Sequence, residues 1–447
     1  MDLALQIGPG IPQRRDEARA PQNKRLNAAG EEEEQMRSNI SRQDRAWTRR
    51  SRLALWSIVA AAIAGAATGV RAESGKLTEI DYMTDPGSNA ALQKLVDTCS
   101  SATGIKIERQ TVPYPELIQR VLLAATSKSL PDLILFDNAD TPQLAEGGMV
   151  VPIADVGLST EGFVPALIAL GTYQGKVYGL PSTVNSVGLF YSVDALKKAG
   201  VQPPKTWEEL KAAAKALTKG DTYGLAFPAP ANEIATFHVA SFVWSNGGNF
   251  GALNSPQAVG AVDYLAGLVK DGSVSKSAVT WSFDELKDQF VSGRAAMAIM
   301  GSWNVAVIGH PANFNYDVVA MPTPAAGGQV KVPGGGEQWG ASATSDKAAA
   351  KKAIACLTND KNVLQYALDR SNLPTRTAVL DDFKKQAPFM APFVAELAGI
   401  VSRAGELGTK YPKYSSAFST ALQAALIGTK SAQAALDEAQ NAASNGQ

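Results

Sequence analysis

An α/β fold, with strands covered by helices, is what this sequence predicts, and three observations carry it. From residue 76 onward strand-like and helix-like segments alternate. The run at 131–137 is apolar enough for a strand buried on both faces, and strong capping signals mark helix starts along the chain.

The elements follow in order. Residues 76–83 read as a strand, and 88–101 as a helix whose apolar stripe is Leu92, Leu95, Val96 and Cys99 at helical spacing. A strand at 104–112, a helix at 114–127 and the strand at 131–137 complete a pattern that implies parallel sheet. Further on, Thr206 with Glu209 and Ser282 with Glu285 form capping boxes, in which hydroxyl and carboxylate satisfy free N–H groups reciprocally. Ser255-Pro256 supplies an N-cap and a first-turn proline. Residues 295–300 form a buried strand that stops at Gly301, and the strand from Asp317 ends at Pro322 and Pro324. Trp207, inside a capping box, is expected in the core.

The sequence has 447 residues, 42 basic and 42 acidic, which gives no nucleic-acid surface. Of these, 12 basic and 8 acidic residues fall in 1–72, which leaves 30 against 34 in a mildly acidic remainder. Basic residues at 49–52, an apolar run at 53–67 and a small residue at Ala72 read as a signal peptide cleaved after Ala72. The run is too short for a membrane span. Arg49-Arg50 suggests twin-arginine export, but Arg52 and Ala54 depart from that motif, so the general secretory route is expected. Residues 1–35 resemble no part of a signal, and Met36 is an alternative start.

Of the two cysteines, Cys99 belongs to a core stripe, and an oxidising compartment would permit a bond to Cys356; the sequence leaves the pairing open. No metal-ligand spacing or nucleotide fingerprint occurs, so neither metal nor cofactor is expected. His238 and His310 lack a serine elbow or metal motif and read as structural. Asp85, Asp137 and Glu337 are the carboxylates a glycoside hydrolase would need, though nothing marks them as acid and base. Aromatic residues beside turns and strand ends (Tyr82, Phe190-Tyr191, Trp244, Trp281, Trp303, Trp339) suit the C–H faces of sugars, with carboxylates and amides for the hydroxyls.

Ordered segments along residues 76–441 resemble family 1 of the extracellular solute-binding proteins, the maltose-binding-protein-like sugar receptors of ABC importers. They include Leu130-Pro131-Asp132-Leu133-Ile134, Gly175-Lys176-Val177-Tyr178-Gly179-Leu180-Pro181, Gly188-Leu189-Phe190-Tyr191-Ser192, Pro204-Lys205-Thr206-Trp207-Glu208-Glu209-Leu210, Asn246-Gly247-Gly248 and Leu373-Pro374-Thr375-Arg376. Ser192 departs from the family's usual asparagine, but serine caps a helix equally well.

The resemblance implies a two-lobed periplasmic binding protein fold of type II, with three hinge crossings and a ligand cleft between the lobes. The crossings would lie near 182–185, 321–324 and 373–375. Residues 76–182 and 325–373 would form one lobe, 186–321 and 376–441 the other. By matching segments, the first lobe would offer Tyr82, Thr84, Asp85, Asp137, Gly335, Gly336 and Glu337. The second would offer Asn185, Trp244, Asn246, Gly247, Trp281, Ser302, Trp303 and Arg376. Asp85 and Asp137 would accept sugar hydroxyls, and the glycines would allow close backbone approach. The implied function is capture of a sugar or oligosaccharide by a periplasmic monomer that hands it to an ABC permease, without catalysis. Glycerol phosphate or a polyamine are alternative solutes, and a secreted glycoside hydrolase or a binding protein that docks a chemoreceptor are alternative roles.

Overall fold

The computed structural model describes residues 75–309 and 313–445. The expected signal peptide with its cleavage point, and His310, lie outside the described residues.

Strand β1 (Lys76–Asp81), helix α1 (Pro86–Thr103), β2 (Lys106–Thr111), α2 (Leu117–Thr126) and β3 (Leu133–Asp137) follow in the expected order. Asp85 starts α1 by accepting the Ser88 N–H at 2.8 Å, and Gly104, left-handed at φ 69°, ends it. The helix expected from 114 begins three residues later. Tyr114–Glu116 forms a separate 3-10 turn around Pro115, which has no N–H to donate.

The chain continues through β4 (Leu180–Pro181), β5 (Thr183–Val184), β6 (Val187–Ser192), α3 (Trp207–Leu217), β7 (Tyr223–Ala226), α4 (Glu233–Ser245) and α5 (Pro256–Lys270). Then come α6 (Phe283–Val291), β8 (Ala295–Gly301), β9 (Tyr316–Val319), β10 (Val332–Gly334) and β11 (Glu337–Ala341). The last part holds α7 (Lys347–Leu357), α8 (Asp360–Arg370), β12 (Leu373–Pro374), α9 (Ala391–Glu396), β13 (Ile400–Ser402) and α10 (Tyr411–Leu426). Both capping boxes form, with the hydroxyl and the carboxylate each engaged.

Two sheets organise these elements, in the orders β2-β1-β3-β11-β4 and β9-β6-β8-β7. The all-parallel expectation is corrected. β1 is parallel to β2 and β3, and β7 to β8, but β11 runs against β3 and β4, and β6 against β8 and β9. The antiparallel members follow passages of chain from one sheet to the other rather than βαβ crossovers, so they enter from the opposite end.

Each sheet has its own apolar core. Leu77, Leu92, Cys99, Leu135 and Trp339 pack in one, and Phe190, Trp207, Leu225, Phe242 and Met300 in the other. Cys99 of α1 and Cys356 of α7 are joined by a disulfide, which settles the pairing the sequence left open.

Between the sheets the chain is held by short strands and buried polar contacts. β12 pairs antiparallel with β5, placing Leu373 opposite Val184. The Thr375 hydroxyl donates to the Pro181 carbonyl at 2.7 Å. Glu396, at the end of α9, accepts the Met321 N–H at 2.9 Å and the Ser186 hydroxyl at 3.4 Å, so one buried carboxyl touches two inter-sheet segments.

Candidate ligand-binding cleft

The strand ends of the first sheet supply one wall of a cavity of about 200 Å³. β1 delivers Tyr82 to Asp85, β3 ends in Asp137, and β11 begins at Glu337. Asp137 and Glu337 are register partners on adjacent antiparallel strands, which sets the two carboxylates side by side. Each is engaged by protein donors. Asp137 accepts the Tyr114 hydroxyl at 3.1 Å and pairs with Arg403, while Glu337 accepts Tyr82 at 3.3 Å and Arg370 at 2.9 Å. Tyr82 and Tyr114 meet edge to face, their centroids 5.1 Å apart. Burial first, then Glu337 beside Tyr82 and Asp137 beside Tyr114, pushes both phenols well above their ordinary range.

The opposite wall comes from the first turn of α4, the start of α6 and the segment after β8. Glu233, Ile234 and Phe237 face the cavity from α4, and Phe283 and Asp284 from α6. Trp303, half-buried, stands between them, with Phe237 and Phe283 centroids at 6.0 and 5.6 Å. His238 braces this cluster from behind. Its Nδ1 lies 2.8 Å from the Ile234 carbonyl, and burial pulls its pKa down to about 4, opposed by that backbone bond.

The floor is backbone. Asn185 and Gly335 exchange N–H···O bonds at 3.3 and 2.9 Å. A Cβ on Gly335 would sit 2.0 Å from Asn185 Oδ1, and one on Gly336 (φ 111°) 2.3 Å from the Thr183 carbonyl. These glycines permit close approach to the β5 segment as well as to the cavity they line.

Tyr82, Thr84, Asp85, Asp137, Asn185, Trp303, Gly335, Gly336 and Glu337 are thus brought together. Trp244, Asn246, Gly247, Trp281, Ser302 and Arg376 line no part of this cavity, a correction to the sequence reading. Trp244 is buried against Phe250, and Asn246 and Gly247 (φ 85°) form the C-terminal stop of α4, whose other end faces the cleft. Trp281 is core. Ser302 is fully buried and bonds Asn372, which places it with the inter-sheet contacts. Arg376 pairs with Asp360 at 2.6 Å and lies over the Phe163 ring.

Sequence reasoning missed Glu233, Phe237, Arg370 and Arg403. The Asn232-Glu233 start of α4 is a visible capping signal, with the Asn232 side chain accepting the Ile234 N–H at 2.9 Å. The two arginines carry no local motif; long-range packing brings them in.

Among the described residues, no group of three or more His, Cys, Asp or Glu side chains is placed to hold a metal ion. The profile of the bacterial extracellular solute-binding proteins matches residues 94–392, most of the chain. The chain belongs to this family. A binding protein of Brucella abortus is 25% identical over 233 residues, 49% of this solute-binding protein and 56% of that relative, so the match spans little more than half the relative's length. The sn-glycerol-3-phosphate-binding periplasmic protein of Brucella melitensis is 27% identical over 299 residues, 61% of this chain and 68% of its own. A solved ABC transporter solute-binding protein from Thermotoga lettingae, bound to α-D-tagatose, superposes with a TM-score of 0.75 at 24% identity, covering 83% of this chain and 99% of that one. This solute-binding protein therefore has the two-lobed fold of maltose-binding-like receptors.

Proposed function

We propose that this solute-binding protein is the periplasmic, monomeric receptor of an ABC importer. It captures a sugar or short oligosaccharide between two lobes and presents it to the permease, performing no chemistry and binding no nucleic acid. The lobes are those built on the two sheets, hinged at the β4–β6, β9–β10 and β12 segments. A ligand touching both walls favours the form that brings them together.

The observation that carries the reading is the composition of the cleft. Aromatic faces (Tyr82, Tyr114, Phe237, Phe283, Trp303) stand opposite and among hydroxyl-accepting groups. Its charged lining is Asp85, Asp137, Glu233, Asp284 and Glu337 against Arg370 and Arg403, an excess of three carboxylates. Both arginines are already paired with those acids. A glycerol phosphate, the ligand of the Brucella melitensis relative, would meet net like charge and no free cation, whereas a neutral polyol would not.

Thermal-shift titration decides the class. Monosaccharides or disaccharides should stabilise the protein in proportion to concentration over Kd, while glycerol 3-phosphate and putrescine should not. Stabilisation by either of the latter alone would overturn the sugar assignment. Release of reducing ends from oligosaccharides would overturn the non-enzymatic one.

A further inference from the structure

Several donors of the cleft are committed to protein acceptors. Tyr82 and Tyr114 donate their hydroxyl protons to Glu337 and Asp137, and the Asn304 amide donates to the Gly301 carbonyl at 3.2 Å. Arg403 is bonded at every nitrogen, with Nη2 on Asp137, Nη1 on Glu233 at 2.6 Å and Nε on the Gly334 carbonyl at 3.3 Å.

Arg370 is bonded at one nitrogen only. It is the last residue of α8, is 7% exposed, and lines the cleft with Glu337 and Tyr82. Among the described residues, its side-chain hydrogen bonds all leave from Nη1, which donates to Glu337 Oε2 at 2.9 Å and to the Tyr366 hydroxyl at 3.1 Å. Tyr366 stands one turn earlier on α8, its ring centroid 5.4 Å from the guanidinium carbon. Glu337 and Tyr366 thus fix the guanidinium from its Nη1 end. Nε is enclosed without a partner, and Nη2 bonds no described residue.

In a planar guanidinium the N–H of Nε and one N–H of Nη2 run parallel along the edge opposite Nη1, the edge that grips oxygens. Leaving such an edge bare in a buried side chain is unfavourable, because its donors have lost water and gained no acceptor. The Arg370 charge is already matched by Glu337, so the edge lacks an acceptor atom rather than a counter-charge.

Glu337 supplies the complementary half. Its Oε1 accepts Tyr82 and its Oε2 accepts Arg370, whereas a carboxylate has room for about four hydrogen bonds. A donor edge and an acceptor therefore stand side by side on the first wall. A polyamine could donate to Glu337 but carries no acceptor for the arginine. A phosphate could accept from the arginine but would face the carboxylate. Two neighbouring oxygens of a saccharide satisfy both, one accepting from Arg370 and the other donating its proton to Glu337.

We propose that Arg370 contacts the ligand, its Nε–Nη2 edge donating to an oxygen of the bound saccharide while Nη1 stays on Glu337. This rests on the saccharide reading of the cleft. It makes Arg370 a specificity-determining residue, since a ligand without an acceptor at this point leaves the edge bare.

The test uses two proteins. Arg370→Lys keeps a cation beside Glu337 and removes the second edge; Arg370→Met made together with Glu337→Gln removes the buried pair as a unit. Glucose, tagatose and maltose are the probes in calorimetric titration. Any of them that the native protein binds should bind the lysine protein about tenfold more weakly, on the scale of one hydrogen bond to a charged group, and unchanged affinity would overturn the proposal. The double variant separates a ligand contact from a structural one. Without ligand its melting temperature should stay at or above the native value, because the bare edge and the buried charges are both gone. A clear fall would mean that the arginine serves the fold, and the proposal would fail. In a crystal structure of native protein with the tightest of the three sugars, a sugar oxygen should lie about 3 Å from Nη2 or Nε, and an edge that meets none would also overturn the contact. Native protein that binds none of the three would bring down the saccharide reading and this proposal with it, an outcome distinct from equal binding by the native and lysine proteins.

Discussion

Trp303 turns back across the strand that delivers it. A Cβ on Gly301 would lie 2.0 Å from two atoms of the Trp303 ring, so the glycine is there to seat the indole rather than to bend the chain through a left-handed residue. The sequence showed an apolar strand stopping at a glycine before a tryptophan, and an aromatic residue beside a strand end is a candidate surface for a sugar face. The structure places Trp303 in the lining of the cavity with Tyr82, just past β1, Asp137, the end of β3, and Glu337, the start of β11, so what was legible at residue scale is their position at strand ends. Trp244 and Trp281 also stand beside turns and are core, because an aromatic beside a turn carries no mark of which side of the turn it packs on. Trp303→Ala should weaken saccharide binding about tenfold or more, on the scale of one lost aromatic contact, while lowering the melting temperature little. Gly301→Ala should reduce affinity similarly by displacing the same ring, and unchanged affinity in either variant by calorimetry would remove Trp303 from the site.

At the scale of elements, the helix stops and starts were readable and their ends relative to the cleft were not. Asn246-Gly247-Gly248 is a helix terminator, and the residues of α4 that line the cavity, Glu233 and Phe237, lie toward its other end, a direction that only packing on the second sheet decides. The buried carboxyl of Glu396 at the end of α9 is a second feature of that packing. Burial, opposed by its bonds from Met321 and Ser186, raises its pKa from 4.5 to about 8. The folded protein therefore holds this proton where the unfolded chain has lost it, so the group's contribution to stability is full below about pH 4.5, falls as pH rises toward 8, and is level beyond. His238, with its pKa lowered to about 4, acts in the opposite sense between pH 6.5 and 4, where the unfolded chain takes up a proton the folded one refuses. The interval from pH 6.5 to 8 is free of the histidine's effect. Across it, denaturant titration should show the native protein losing stability relative to Glu396→Gln, and parallel profiles would mean that the carboxyl does not hold its proton.

At the scale of the molecule, the order of segments along the chain was enough to indicate two lobes, because a binding fold of this kind leaves many weak signals in sequence. The balance of charge in the cleft was not legible, since it depends on Arg370 and Arg403 arriving from separate parts of the chain to face Asp137, Glu233 and Glu337. That balance makes a prediction about the whole molecule. Arg403 and Asp137 are almost fully buried, with side chains 1% and 9% exposed, so salt should screen their attraction weakly. A neutral saccharide adds no charge to the closure, and its affinity should change less than about threefold between 0.05 and 0.5 M NaCl. A much larger change over the same range would mean that the bound solute carries charge. Closure itself should appear in small-angle scattering as a smaller radius of gyration on saturation, together with a stability gain of about 2.7 kcal/mol at a hundredfold excess over Kd. Stabilisation without compaction would mean that the ligand engages one wall only, and the excess carboxylates would then be a feature of that wall rather than of a two-sided grip.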